Sequence, residues 1–324
     1  MVILDFEKPI IELEKKIEEL KNIANNKKIN LEKEIKQLEK ESFEIKKKIY
    51  NNLTPWQKVQ VARHTNRPGI NDYINLMMEN FVEFHGDRNF KDDLAILGGL
   101  ANFDDKPVMV IGHQKGKNLQ DNIKKNFGMA HPEGYKKSLR LMKLADKFLI
   151  PIIIFIDTPG AYPGIEAEER GQGTSIAINL REMIDIKTPI LVIVTGEGGS
   201  GGALALGIGD KILMLEHAIY SVISPEGCAA ILWDNKSKAA DASISLKLTA
   251  QELLKLGIID EIISEPVGGS HCDKESIAKN LKKSLIKHLN ILTKLSCDKL
   301  IETRYNKFRK IGEWKEIGVV SSVG

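Results

Sequence analysis

Only three cysteines occur among 324 residues, Cys228, Cys272 and Cys297, and none stands in a CxxC pair. A secreted disulfide framework and a Cys-rich zinc site are therefore unsupported. Charge of one sign is missing too. Forty-seven Lys and Arg against 44 Asp and Glu leave a formal net charge of +3, which gives no mandate for nucleic-acid binding. Long apolar runs are also absent: the most apolar stretch, 148–156, is interrupted by Pro151 and is far too short to span a bilayer. The opening MVILDFEKPI lacks a basic segment followed by an apolar one, so no signal peptide is expected and the chain is placed in the cytoplasm. What is present is a soluble globular balance, 42% hydrophobic and 28% charged. It rules out a disordered chain, a fibre or a membrane bundle, and the length allows one large domain or two smaller ones.

Residues 1–52 differ in texture from the rest. Ile10, Leu13, Ile17, Leu20 and Ile23, then Leu31, Ile35, Leu38, Ile45 and Ile49, recur mostly three or four apart with Lys and Glu between them. This predicts two amphipathic helices joined near Asn25 to Asn30, packed on the main body or on a partner subunit. From about residue 70, apolar runs alternate with amphipathic stretches. Strands are expected at 94–103, 108–112, 151–157, 190–195, 212–215 and 218–223, and helices at 132–148, 171–186 and 274–292. Such alternation predicts an α/β fold whose strand ends present the loops that carry chemistry. The expected division is a hairpin at 1–52, one α/β domain at 53–295, and a C-terminal helix and tail at 296–324.

The most informative segment runs from Pro189 through Gly196, Gly198, Gly199, Ser200, Gly201 and Gly202 to Gly207. A buried strand enters a glycine-rich loop that opens a short apolar helix. Without Cβ atoms a ligand can approach the backbone, and the first helical N–H groups lack internal partners. The result is a socket for a phosphate or a developing oxyanion.

Several motifs fit this region in part. Gly196, Gly198 and Gly201 spell GxGxxG with Glu216 twenty residues on, but too few residues follow for a Rossmann crossover helix. Ser200 sits in a GxSxG frame, with Asp260 and His271 downstream as triad candidates. Asp157 to Gly160 imitates a GTPase DxxG, yet the loop Gly112 to Asn118 is no P-loop, and Asn235 to Lys238 lacks the Asp that reads guanine. What remains is a pair of glycine-bearing strand ends, Asp157–Gly164 and Gly196–Gly202, able to aim backbone amides at one spot. His113 is expected to be a satisfied buried histidine, not a catalyst.

Longer strings go further: IGHQKGK (111–117), NFGMAHPEGYKKSLRLM (126–142), FIDTPGAYPGIEAEERGQG (155–173), GEGGSGGALALGIGD (196–210) and YSVISPEGCAAILW (220–233). They closely resemble the carboxyltransferase α subunits of bacterial and plastid acetyl-CoA carboxylases, as do LDFEKPIIELEKKI and WQKVQVARH nearer the start. The likeness runs from about residue 4 to about 310.

This resemblance implies a crotonase-like fold, a spiral of ββα units carrying the N-terminal hairpin. It implies an α2β2 assembly with a carboxyltransferase β subunit that bears the Cys₄ zinc ribbon, so that this chain holds neither metal nor covalent cofactor. The implied reaction moves a carboxyl group from carboxybiotin, held on a biotin carboxyl carrier protein and charged by a separate biotin carboxylase, to acetyl-CoA, giving malonyl-CoA. By position, the backbone N–H groups of Gly201 and Gly202 face the biotin ureido oxygen. Gly160, Ala161, Gly198 and Gly199 supply biotin-pocket backbone. Lys115 or Lys117 lies near an anionic group of CoA or is simply solvated, and Glu166, Glu168, Glu169 and Arg170 form a charged helix start. The departing biotin anion removes the methyl proton, so no side-chain base is required.

Overall fold

Residues 4–27 and 30–312 are described by a computed structural model. Residues 28 and 29, in the expected hairpin junction, and the tail from 313 onward lie outside the described residues.

The strands in chain order are β1 (Glu79–Glu83), β2 (Ile96–Phe103), β3 (Lys106–His113), β4 (Ile152–Thr158), β5 (Ile190–Gly199), β6 (Lys211–Leu215), β7 (Ile219–Ser221) and β8 (Glu261–Ile263). They form one sheet in the order β1-β2-β3-β4-β5-β6-β8, with β7 also pairing β5. Continuous branched aliphatic runs make β4 and β5 apolar on both faces, the pattern of covered parallel strands, and they lie at the middle of the sheet. Only β1–β2 and β2–β3 are antiparallel. Asp104 and Asp105 turn β2 into β3 with φ of +52° and +58°, a two-residue turn whose handedness suits the strand twist.

Helices close the units that the strands begin. Pro132–Lys147 follows the β2–β3 hairpin, Gln172–Ile184 follows β4, and Lys274–Leu292 follows β8. Leu141, Met142, Met183, Leu281 and Leu285 from these helices join the strand residues in one large core. This is the α/β arrangement expected from the sequence, with two differences. The strand expected to stop at 195 runs on to Gly199, because β7 gives Glu197, Gly198 and Gly199 a parallel partner. No expectation covered β1 or β8; one is largely exposed and the other has three residues, so neither carries a long apolar run.

The N-terminal helices Lys8–Lys27 and Glu32–Tyr50 form the expected pair, bridged by Lys46 to Glu14 at 2.8 Å and Lys21 to Glu39 at 2.6 Å. Their base is fixed to the body. The Tyr50 hydroxyl donates to Glu7 at 2.6 Å, its ring meets His217 edge-on, and Leu4, Ile10, Leu53 and Val61 bury around it.

The last described helix, Cys297–Arg309, joins the main core through Leu300. Its Arg304 is fully buried and forks onto Asp210 at 3.0 and 2.9 Å, while also donating to the carbonyls of Met183, Ile186 and Thr188. Asp210 in turn accepts the N–H of Ile190, the first residue of β5, at 2.7 Å. Removing one partner strands the other charge and several carbonyls in a dry interior. Arg304→Met should therefore lower stability by about 3–5 kcal/mol, read as a shift of the denaturant unfolding midpoint.

Candidate active site

The two glycine-bearing strand ends meet. β4 finishes in Asp157-Thr158-Pro159-Gly160, and Thr158 folds its hydroxyl back to accept the Gly160 N–H at 3.1 Å and donate to the Gly160 carbonyl at 2.7 Å. β5 runs through Gly199 into a five-residue helix, Ser200–Leu204, that no side chain caps. The first-turn amides of Gly201 and Gly202 thus have no helical acceptor. A Cβ on Gly202 would lie 2.4 Å from the Gly160 carbonyl carbon and 2.6 Å from the Ala161 nitrogen; on Gly199 it would lie 2.1 Å from the Pro159 oxygen. Only glycine lets these backbones touch. Gly201 is more open, its nearest neighbour being Ile176 Cδ1 at 3.3 Å from a notional Cβ.

Gly202 is therefore set directly against Gly160 and Ala161. Gly198 sits inside the sheet instead, between Thr158 of β4 and Tyr220 of β7, with the Tyr220 ring where its side chain would be. The Gly160 amide is occupied by Thr158, so that residue shapes the contact without offering a free donor.

Beside this contact lies a charge cluster that sequence reasoning missed. Lys115, two residues beyond β3, reaches Asp157 at 2.7 Å and Glu197 at 3.0 Å. Glu197 also accepts from Arg63 Nε at 2.6 Å, and Arg63 reaches on to Glu226. Burial disfavours the Glu197 charge, yet Lys115 and Arg63 outweigh it and hold the carboxyl below its ordinary pKa. Burial likewise opposes the Lys115 charge, and Asp157 and Glu197 reverse the balance and raise it. The legible signal was two acids placed in otherwise apolar or glycine-rich strand ends. Lys115 thus answers internal carboxylates, whereas Lys117 is exposed and pairs with Asp72 at 3.1 Å.

The cluster faces a cavity of about 600 Å³ whose wall includes Arg63, Asn66, Lys115, Asp157, Pro159 and Glu197. Gly160, Ala161, Gly198, Gly199, Gly201 and Gly202 do not line this cavity. His113 is buried as expected, its ring facing the backbone of Gly202 and Phe155. Burial and then the Lys115 charge bring its pKa down to about 3, so it is a neutral ring.

The competing motifs dissolve in three dimensions. Gly196 and Gly198 remain within β5, and the following helix is too short to be a Rossmann crossover. Asp260 is taken by Lys211, Lys307 and the Ile212 N–H, while His271 stacks on His64 at 3.9 Å; neither reaches Ser200. Glu166, Glu168 and Glu169 do lie on a short helix, Ile165–Glu169, and Arg170 pairs with the buried Glu133 at 2.6 Å. Among the described residues no group of three or more His, Cys, Asp or Glu could hold a metal ion, and no helix is long and apolar enough to cross a membrane.

Comparison with known proteins supports the same assignment. The profile of the acetyl co-enzyme A carboxylase carboxyltransferase-like family matches residues 3–312. The acetyl-coenzyme A carboxylase carboxyl transferase subunit alpha of Geobacter metallireducens is 56% identical over 97% of this chain and 98% of its own length. The protein of the same name from Synechococcus elongatus is 50% identical over 97% and 96%. Among solved structures, the transcarboxylase 12S core superposes with a TM-score of 0.53 at 18% identity, over 72% of this chain and 44% of that one. The β subunit of P. aeruginosa geranyl-CoA carboxylase gives 0.56 at 13%, over 76% and 46%. This chain spans less than half of those solved chains, and at such identities they establish the fold, which is crotonase-like. The chain belongs to the family of acetyl-CoA carboxylase carboxyltransferase α subunits, whose standard reaction is carboxyl transfer to acetyl-CoA.

Proposed function

We propose that this chain forms one half of a shared carboxyltransferase centre in the cytoplasm, completed by a zinc-bearing β subunit in an α2β2 assembly. A biotin carboxyl carrier protein, charged by a separate biotin carboxylase, delivers carboxybiotin as the second substrate, which supplies the carboxyl group and then a urea-type anion able to take the methyl proton of acetyl-CoA. The observation that carries this reading is the uncapped helix start at Gly201 and Gly202, held against Gly160 and Ala161 at the end of the neighbouring strand. Two amides there stabilise charge on the ureido oxygen without reorganising, which is where donors of this kind contribute most. Gly160 and Ala161 fix the approach, with Gly198 and Gly199 holding the strand end beneath them.

The same tight packing of Gly202 favours a second reading, in which the loop is architectural and the chain only holds the β subunit in place. Activity separates the two. This chain alone should form no malonyl-CoA from carboxybiotin and acetyl-CoA, and adding the β subunit should restore transfer; a β subunit fully active by itself would establish the scaffold.

The donor assignment is tested at Gly201, since any side chain at 202 would move the strand end itself. Proline removes an amide hydrogen and is tolerated in a first helical turn. Gly201→Pro should lower kcat about 10²–10³-fold while Gly201→Ala, which keeps the N–H, stays close to the parent. Equal rates for the parent and a folded, assembled Gly201→Pro enzyme would sink the assignment.

A further inference from the structure

β4 and β5 lose step just before the glycine turn. Ile156 pairs with Val194 and Thr158 with Gly198, so that one residue of β4, Asp157, faces three of β5, Thr195, Gly196 and Glu197. Such a bulge frees backbone groups from the ladder and re-aims the strand beyond it. Two of these groups are caught by side chains. Asp157 Oδ1 accepts the Glu197 N–H at 3.0 Å, and Arg67 Nε donates to the Thr195 carbonyl at 2.6 Å. The Asp157 carboxylate also occupies the place of a side chain at Gly196, where a Cβ would stand 2.4 Å from Oδ1. Arg67 is itself fixed by a buried Glu265, which Ser270 and the His217 N–H hold from behind.

We infer that Asp157 is a positioning residue for carboxyl transfer, its carboxylate setting the β5 bulge so that the strand delivers Gly201 and Gly202 into register against Gly160 and Ala161. The inference rests on the amide-donor reading above. The chain of contact is continuous. Asp157 fixes Glu197, Gly198 pairs with β7, Gly199 seats on Pro159, and the helix starts at the next residue. Without the bulge, two further residues of β5 would be drawn into the ladder and the amides would start from a different place. Lys115 neutralises the carboxylate from the cavity side, and Arg63 and Lys115 together hold the Glu197 side chain, which keeps the bulged segment from turning outward.

The test uses the assembled enzyme with its β subunit and carrier. Asp157→Ala removes the acceptor and the filler of the bulge. It should lower kcat about 10²-fold, with KM for acetyl-CoA unchanged. Asp157→Asn keeps an oxygen for the Glu197 N–H and should recover kcat to within about tenfold of the parent. Asp157→Glu keeps the charge toward Lys115 but is one methylene too long for the space under Gly196, and should be as impaired as the alanine variant. Should the alanine variant fail to assemble, the Asn and Glu variants decide. A glutamate enzyme more active than the asparagine one would mean that charge, not bulge geometry, matters, and would overturn the inference. So would a folded Asp157→Ala enzyme of parental kcat, or a loss confined to KM. If Gly201→Pro is impaired while Asp157→Ala is not, the positioning role fails and the amide donors stand; if both are parental, the donor reading itself has failed.

Discussion

The proposed amide donors depend on two backbones touching without side chains between them. The ends of the two central strands approach to distances at which a single Cβ would collide with a carbonyl or an amide. That closeness is unstable unless the strands themselves are immovable, which is what the buried aliphatic runs of β4 and β5 provide. Rigid strands and bare turns are complementary requirements: the first fixes where the amides are, the second lets the two backbones close on each other. A site built from main-chain hydrogens carries its donors at no side-chain entropy cost, but every one of them is only as well placed as the strand that precedes it.

This explains the company the site keeps. Lys115, Asp157, Glu197 and Arg63 form a ladder of alternating charges across three strand ends and the helix Pro55–Ala62. Isolated buried ion pairs contribute little to stability once desolvation is counted. Here the Asp157 carboxylate also satisfies the Glu197 main-chain N–H, so the ladder spaces the backbone in a region where side-chain packing cannot, because the side chains are missing.

Much of the architecture was legible in the sequence because it is written in periodicity. The helix 274–292 and the strands around 152 and 190 are long, regular and apolar, and they stand where the patterns put them. The N-terminal helix pair was equally plain. What escaped was short or dependent on distant partners. β1 and β8 are too small to show a period, and the extension of β5 to Gly199 depends on β7 returning beside it and on Thr158 of β4. At the site, the glycines announced a close approach but not what approaches. That Gly202 faces Gly160 and Ala161, whereas Gly198 faces Tyr220, follows from strand register, which no local pattern encodes.

Arg304 has a consequence for how the chain is made. The groups it satisfies belong to the entry of β5 and the turn into β6, yet it comes from the last described helix. During synthesis the middle of the sheet is translated well before its clasp. Until residue 304 has left the ribosome, the Asp210 carboxylate and the carbonyls of residues 183–188 have no cation to close over them. A nascent chain halted short of it carries an uncompensated carboxylate beside the entry of β5, although every strand of the sheet has already been made.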